Sequence, residues 1–205
     1  MKATNTKNIQ AIILAAGQSK RYGSNKTHIC IDGIPMPIKI SLTLQSININ
    51  SLIVINESNI ILQQSVNKHA INYIINNEET NTGIGSSIAL AVQSTPDANG
   101  WLICLADMPF ININTYKKII STLQESNGKH IIIPRYNKKN GHPVAFGNNF
   151  YQQLINKSGD TGAKNIINNN LTLVDYIDIN DPFILQDIDT PQDFKRLANL
   201  THNKF

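Results

Sequence analysis

Several residues in this 205-residue chain are of types, and at spacings, that suit the handling of phosphate groups and a divalent cation. Asp107 follows the apolar run Trp101-Leu102-Ile103-Cys104-Leu105-Ala106. A carboxylate at the carboxyl end of a buried strand points into the crevice above the sheet, and Mg²⁺ typically takes one or two carboxylates plus substrate phosphates. The plainer reading is an Asp that opens a turn before Pro109. Arg21 and Lys26 lie in the stretch Leu14-Ala15-Ala16-Gly17-Gln18-Ser19-Lys20-Arg21-Tyr22-Gly23-Ser24-Asn25-Lys26. Small residues there let the backbone approach a ligand, and exposed N–H groups bond phosphate oxygens. Arg21 as a fork and Lys26 as a point charge would suit a triphosphate. An ordinary glycine-containing turn with two surface cations is the alternative.

Two well-known phosphate loops do not fit this stretch. The dinucleotide loop needs Gly-x-Gly-x-x-Gly, but Ser19 stands at its second glycine. The P-loop needs Gly-Lys-Ser/Thr, but Gly23 is followed by Ser24-Asn25. A second candidate, Thr82-Gly83-Ile84-Gly85-Ser86-Ser87, opens a helical stripe, where free N–H groups and the helix dipole attract acceptor groups. Simple capping by Thr82 is its bland counterpart. Farther on, Arg135, His142 in Gly141-His142-Pro143, and the segment Gly159-Asp160-Thr161-Gly162-Ala163-Lys164 offer a cation, an imidazole and a glycine-rich helix start. These would suit an anionic second substrate, or else are a turn histidine and a helix entry capped by Asp160. Asp187 and Asp189 lie on an extended segment near the end, and only one of them, Asp189 by preference, is expected to face a metal. Cys104 reads as a small core residue rather than a nucleophile.

The elements that would position these residues recur as apolar run, turn, helical stripe. Ile9 to Ala15, Ser51 to Asn56, Ala70 to Ile75 and Trp101 to Ala106 read as buried strands. His130 to Pro134, Pro143 to Gly147 and Leu171 to Ile177 read as further strands. Helices are expected over Ile38 to Ser46, Asn59 to His69, from Ile84, around Tyr116 to Leu123, over Phe150 to Ile155 and around Ala163 to Ile167. The last helix has Thr190 as cap, Pro191 in its first turn and Asp193 completing a box-like Thr-x-x-Asp. Alternating strands and helices predict a mostly parallel sheet with helices on both faces, and sites gather where its strands end.

Composition narrows the function classes. Eighteen Lys+Arg against 14 Asp+Glu leave a net charge of +4, too small to mark a nucleic-acid binder. Hydrophobic residues at 41% are enough for a core, and charged residues at 16% argue against a charge-driven disordered chain. Two cysteines, Cys30 and Cys104, make neither a disulfide framework nor a cysteine-rich zinc site. No apolar run approaches a membrane span, and Met1 to Gln10 lacks the apolar stretch of a signal peptide. The expectation is a cytoplasmic protein without nucleic-acid or membrane partners, with a polar tail over 1–8 and a single domain over 9–200.

Leu-Ala-Ala-Gly-x-Ser-x-Arg-x-Gly-x-x-Lys resembles the signature loop of nucleotidyltransferases with a Rossmann-like, three-layer α/β/α fold. More narrowly, it resembles the branch that transfers a nucleotide onto the molybdenum cofactor. Guanylyl members usually carry Leu-Ala-Gly-Gly, and Ala15-Ala16-Gly17 is more similar to the cytidylyl enzymes. Gly83-Ile84-Gly85-Ser86-Ser87 resembles the Gly-x-Gly-x-Ser-Leu segment that borders the base, and Leu105-Ala106-Asp107-Met108-Pro109 the metal-binding segment. Asp187-Ile188-Asp189-Thr190-Pro191-Gln192-Asp193 resembles the closing motif Asp-Ile-Asp-Thr-Pro-x-Asp. The resemblance runs over about residues 9 to 197. Two positions depart from it: Asn140 stands before Gly-His-Pro where an Arg is frequent, and Lys164 replaces the usual Arg after Gly-Asp-x-Gly-Ala.

The resemblance implies transfer of CMP from CTP to the phosphate of a molybdopterin-like acceptor, with Mg²⁺ as cofactor. It implies nucleotide binding by Leu14, Ala15, Ala16, Gly17, Arg21, Lys26, Gly83, Ser86 and Ser87, and acceptor binding by Arg135, His142, Asp160 and Gly162. Arg21, Lys26 and Asp107 would be catalytic, with Asp107 and Asp189 on the metal. A transient contact with a molybdoenzyme or its chaperone is a further implication. The rivals are guanylyl transfer, nucleotidyl transfer to a sugar phosphate or isoprenoid precursor, and a non-catalytic module that binds nucleotide or cofactor.

Overall fold

The computed structural model describes residues 8–17, 29–77, 83–159 and 161–202. Its first strand, β1 (Ile9–Ala15), is a nearly continuous apolar run and occupies the middle of the sheet. It pairs in parallel with β4 (Ser51–Asn56) on one side and β6 (Gly100–Leu105) on the other. Beyond β4 lies β5 (Tyr73–Asn76), also parallel. Beyond β6 lies β9 (Val144–Gly147), antiparallel to both β6 and β7 (Ile131–Tyr136). The edge strand β10 (Val174–Asp178) runs parallel to β7, and β8 (Lys139–Asn140) pairs with β7 off this path. The order is therefore β10-β7-β9-β6-β1-β4-β5, a mostly parallel sheet as expected.

The two-residue period of the strands sorts their side chains into two cores. Ile9, Ala11, Ile13, Ile53, Ile55, Leu102 and Cys104 face one side. There they meet α1 (Met36–Gln45), α2 (Ile60–Lys68), α4 (Ile113–Glu125) and α7 (Pro191–His202), through residues such as Leu44, Val66, Tyr116 and Leu197. Ile12, Leu52, Val54, Trp101 and Ile103 face the other side and meet Ile88, Leu154 and Ile166. Those three come from α3 (Ile84–Gln93), α5 (Tyr151–Ile155) and α6 (Lys164–Asn169). The architecture is the three-layer α/β/α arrangement. Burial pushes the Cys104 thiol well above its usual range, as suits a core residue. No helix among the described residues is long and apolar enough to cross a membrane.

Element ends differ from the periodicity in places with identifiable causes. The strand expected from Ala70 begins at Tyr73, because Ala70 has a positive φ and closes the turn after α2. The strand expected from Leu171 begins at Val174, after a single 3₁₀ turn over Leu171–Leu173. A hairpin of β2 (Cys30–Ile31) and β3 (Ile34–Pro35) has no counterpart in the periodicity, since two-residue strands show none. Its turn, Asp32-Gly33, has positive φ at both residues, the conformation this dipeptide favours. Thr190 caps α7 as expected: its Oγ1 accepts from the Asp193 N–H at 3.1 Å and donates to Asp193 Oδ2 at 2.7 Å. That hydrogen bond also holds the Asp193 carboxyl below its ordinary pKa.

One buried acid ties the C-terminal crossing to α4. Asp181, 4% exposed, accepts from the Asn112 N–H at 2.9 Å, the Thr115 hydroxyl at 2.7 Å and the Phe183 N–H at 3.1 Å. Asp181→Ala leaves two backbone donors and a hydroxyl without that acceptor in a buried setting. A loss of about 2–4 kcal/mol of unfolding free energy is expected, read from urea melts by circular dichroism.

Candidate active site at the carboxyl edge of the sheet

The order of strands reverses at β1, since the chain moves from β1 to β4 on one side and places β6 on the other. Crevices outside the strand ends at such a reversal are where open α/β sheets bind ligands. Asp107 stands there, two residues after β6, with its Oδ1 shielded from solvent. The Ala106 N–H donates to the Leu14 carbonyl, which holds the end of β6 against the end of β1. The turn closes through the Met108 N–H and the Leu105 carbonyl, with the Met108 side chain in the core.

The segment after Asp181 brings two more carboxylates to Asp107. The His142 N–H donates to the Ile184 carbonyl at 2.9 Å, and the Ile188 N–H to the Asp107 carbonyl at 2.9 Å. Ile188 is 0% exposed and plugs this segment into the core. One ligand oxygen each from Asp107, Asp187 and Asp189 then lies within 4.8 Å of the others. The expectation that one of Asp187 and Asp189 faces away from the other is corrected here, since both carboxylates come to Asp107. Residues i and i+2 of an extended segment share a side, and it is Ile188 between them that points away. Three oxygen donors at this spacing fit a hard divalent cation, which would also relieve their mutual repulsion.

His142 joins this group rather than a separate one. It lies close enough to Asp107 and Asp187 for both carboxylates to favour its charged form. Burial outweighs them, so its pKa falls below the ordinary histidine value. Its Nδ1 is buried without a hydrogen-bond partner among the described residues.

Of the residues expected at a nucleotide, Ala15 and Ala16 point into the two opposite cores, so what they offer a ligand is backbone. Leu14 is half-buried, and Gly17 is exposed at the start of the loop. Arg21, Lys26, Thr82 and Asp160, all expected at the site, lie outside the described residues. Gly83 precedes α3 with φ 124°, a conformation suited to glycine. The Gly85 N–H donates to the Gly159 carbonyl at 2.9 Å. A side chain at Gly85 would strike the Ser158 carbonyl oxygen at 2.7 Å, so only glycine lets these two backbones meet. Gly162 packs nearby, against Ile84. The start of α3 is thus joined to Ser158, Gly159 and Gly162.

The two serines differ. Ser86 donates to the Gly83 carbonyl at 2.7 Å and is half-buried. Ser87 is buried and accepts from the Asn76 side-chain amide at 2.9 Å. Asn76, at the end of β5, and Asp181 are site-supporting residues that sequence reasoning missed. For Asp181 a signal existed in Asn180-Asp181-Pro182, a helix-start pattern. Asn76 had none, because its partner is brought by the sheet.

A nucleotidyltransferase-type α/β domain is the class that this sheet order and edge cluster define. Residues 11–174 match the family described as MobA-like NTP transferase domain, and the chain belongs to that family. It is 28% identical to the molybdenum cofactor cytidylyltransferase of Escherichia coli (strain K12) over 189 residues, covering 91% of this chain and 93% of the relative. It is 27% identical to the bifunctional protein GlmU of Legionella pneumophila (strain Philadelphia 1) over 169 residues, 78% of this chain. The match spans 36% of that relative, so the chain accounts for only about a third of it. Among solved structures, Rv0371c of Mycobacterium tuberculosis H37Rv in complex with manganese superposes with a TM-score of 0.76 at 19% identity, over 94% of this chain and 98% of that one.

The carboxylate geometry yields a direct test. Asp107→Asn, Asp187→Asn and Asp189→Asn should each weaken Mn²⁺ binding by about tenfold or more, through loss of an ionised oxygen ligand. Electron paramagnetic resonance counts the free ion, and circular dichroism should show an unchanged fold. A variant that binds Mn²⁺ as the parent does removes that residue from the metal site.

Proposed function

We propose that the chain is a Mg²⁺-dependent cytidylyltransferase that moves CMP from CTP to the phosphate of molybdopterin or the molybdenum cofactor and releases pyrophosphate. The observation that carries the metal-dependent part is the convergence of Asp107, Asp187 and Asp189 at the strand reversal, where the end of β6 is bonded to the end of β1. The cytidylyl and cofactor part is supported by Ala15-Ala16-Gly17 and by the relative from Escherichia coli, matched along 93% of its length. Residues 9–200 are read as one working unit in the cytoplasm, with a molybdoenzyme or its chaperone as a transient recipient.

In the reaction a phosphate oxygen of the acceptor attacks the α-phosphorus of CTP. The new P–O bond forms as the bond from the α-phosphorus to the bridging oxygen breaks, and pyrophosphate leaves with that electron pair. A phosphate monoester is anionic near neutral pH, so the chain need supply no general base. Its task is positioning and charge neutralisation. Asp107, Asp187 and Asp189 would hold the cation, which neutralises charge on the triphosphate when bound. Arg21 and Lys26 would grip the triphosphate, and Gly83, Ser86 and Ser87 would border the base. His142 would stay neutral beside the carboxylates and so add no cation to compete with the metal. Gly162 would hold the acceptor side against α3, with Asp160 and Arg135 toward the acceptor.

A second reading is transfer to a different phosphorylated acceptor such as a sugar phosphate, since the chain also matches a relative other than the cofactor enzyme, GlmU. Pyrophosphate release from CTP and Mg²⁺ over a panel of phosphorylated acceptors separates the two. Release with the molybdenum cofactor supports the first reading, and release with sugar phosphates alone supports the second. Lys26→Ala and Arg21→Ala should raise the KM for CTP by about tenfold each, with Arg21→Ala also lowering kcat. Unchanged kinetics in both would leave them as surface cations. CTP should outcompete GTP by about tenfold or more, because a site bonded to one base edge rejects a base that leaves its groups unpaired. Equal use of GTP would move the chain to guanylyl transfer and leave the triphosphate and metal roles standing.

A further inference from the structure

Arg135 is held in place far more firmly than a surface arginine needs to be. Its guanidinium carbon lies 3.5 Å from the centroid of the Tyr176 ring, a stacked cation–π contact across the β7–β10 pair. Its Nε donates to Asn140 Oδ1 at 3.0 Å, across the β7–β8 pair. Tyr176 remains 38% exposed, so the ring is not there to fill the core. Among the described residues no carboxylate forms an ion pair with Arg135, although Asp178 is its register partner on β10.

The sheet register places this cation at the candidate site. Ile131 and Trp101 both pair with Phe146, so β7 and β6 run level on either side of β9. Arg135 is thus level with Leu105, two strand spacings or roughly 10 Å away, at the same carboxyl edge as Asp107. Ile131 and Ile133 belong to the α3/α5/α6 side, and alternation puts Arg135 on that side too, where Gly159 meets the start of α3.

We propose that Tyr176 and Asn140 are positioning residues that hold the Arg135 guanidinium flat and turned, so that its Nη edge grips a phosphate group of the acceptor. The ring fixes the plane of the fork and the amide fixes its rotation. The Nη atoms then keep four N–H donors for an oxyanion. Asn140 thereby takes a different task from an arginine at that position: it orients a neighbouring cation instead of adding one. A fork ordered before the anion arrives loses less freedom on binding. This inference rests on reading the cleft as a nucleotidyl-transfer site, with the acceptor on the β7 side.

The test uses the full chain and inorganic phosphate as probe, read on the arginine Nε–Hε signals by nuclear magnetic resonance and assigned with Arg135→Lys. Phosphate should shift the Arg135 signal in the parent. Tyr176→Ala and Asn140→Ala should weaken that titration, Tyr176→Ala by about fivefold, and Tyr176→Phe should restore it. With a working acceptor, Tyr176→Ala should raise the acceptor KM by a similar factor and leave the KM for CTP alone. An Arg135 signal that phosphate does not move, or a titration equal in parent and Tyr176→Ala, overturns the proposal. Failure of every acceptor to release pyrophosphate counts against the transfer reading instead, because the phosphate titration does not depend on turnover.

Discussion

Three carboxylates within 4.8 Å of one another repel, and much of the structure on one side of the sheet works to hold them together. The backbone that carries them is fixed at several points. Asp107 is fixed by the end of β6, which is bonded to the end of β1. Asp187 and Asp189 are fixed by the Ile188 plug and by the bond from the Ile188 N–H to the Asp107 carbonyl. The same short segment is tied upstream by His142 at Ile184 and by Asp181 at the start of α4. A cluster built this way would hold its geometry in readiness for a cation, and little binding energy would then be spent on ordering the carboxylates.

The sheet divides the labour between its two faces. The face covered by α1, α2, α4 and α7 carries the segment with Asp187 and Asp189. The opposite face carries α3, whose first turn is joined to Gly159, and the stacked Arg135. A reaction between two anionic partners needs both in one geometry, and here both faces end at the same edge of the same parallel strands. The antiparallel β9 makes this work: it enters from that edge just after His142, so one strand delivers an imidazole to the carboxylates and separates β6 from β7.

Glycine has a specific part in this arrangement at Gly85. The Ser158 carbonyl oxygen sits where its Cβ would be, so nothing larger lets α3 and the 158–159 backbone share a hydrogen bond. The segment read for the base and the segment read for the acceptor therefore share one anchor. That anchor is backbone on both sides, without an intervening flexible side chain.

The sequence by itself determined the layers and the place of the candidate site. Apolar runs of strand length at Ile9, Ser51 and Trp101 demanded burial on both faces, and stripes such as Tyr116, Ile119, Ile120 and Leu123 demanded helices to cover them. Asp107 after its strand, and the Thr-x-x-Asp box at Thr190, were legible because their partners lie within a few residues. Tertiary structure decided which distant groups meet. Asp187 joins Asp107 across 80 positions of chain, Asn76 at the end of β5 reaches Ser87 in α3, and Tyr176 lies under Arg135 only because β10 pairs with β7. Local periodicity reports which side of its own element a residue faces. Strand order and register decide what stands opposite, and those are set by the packing of the whole sheet.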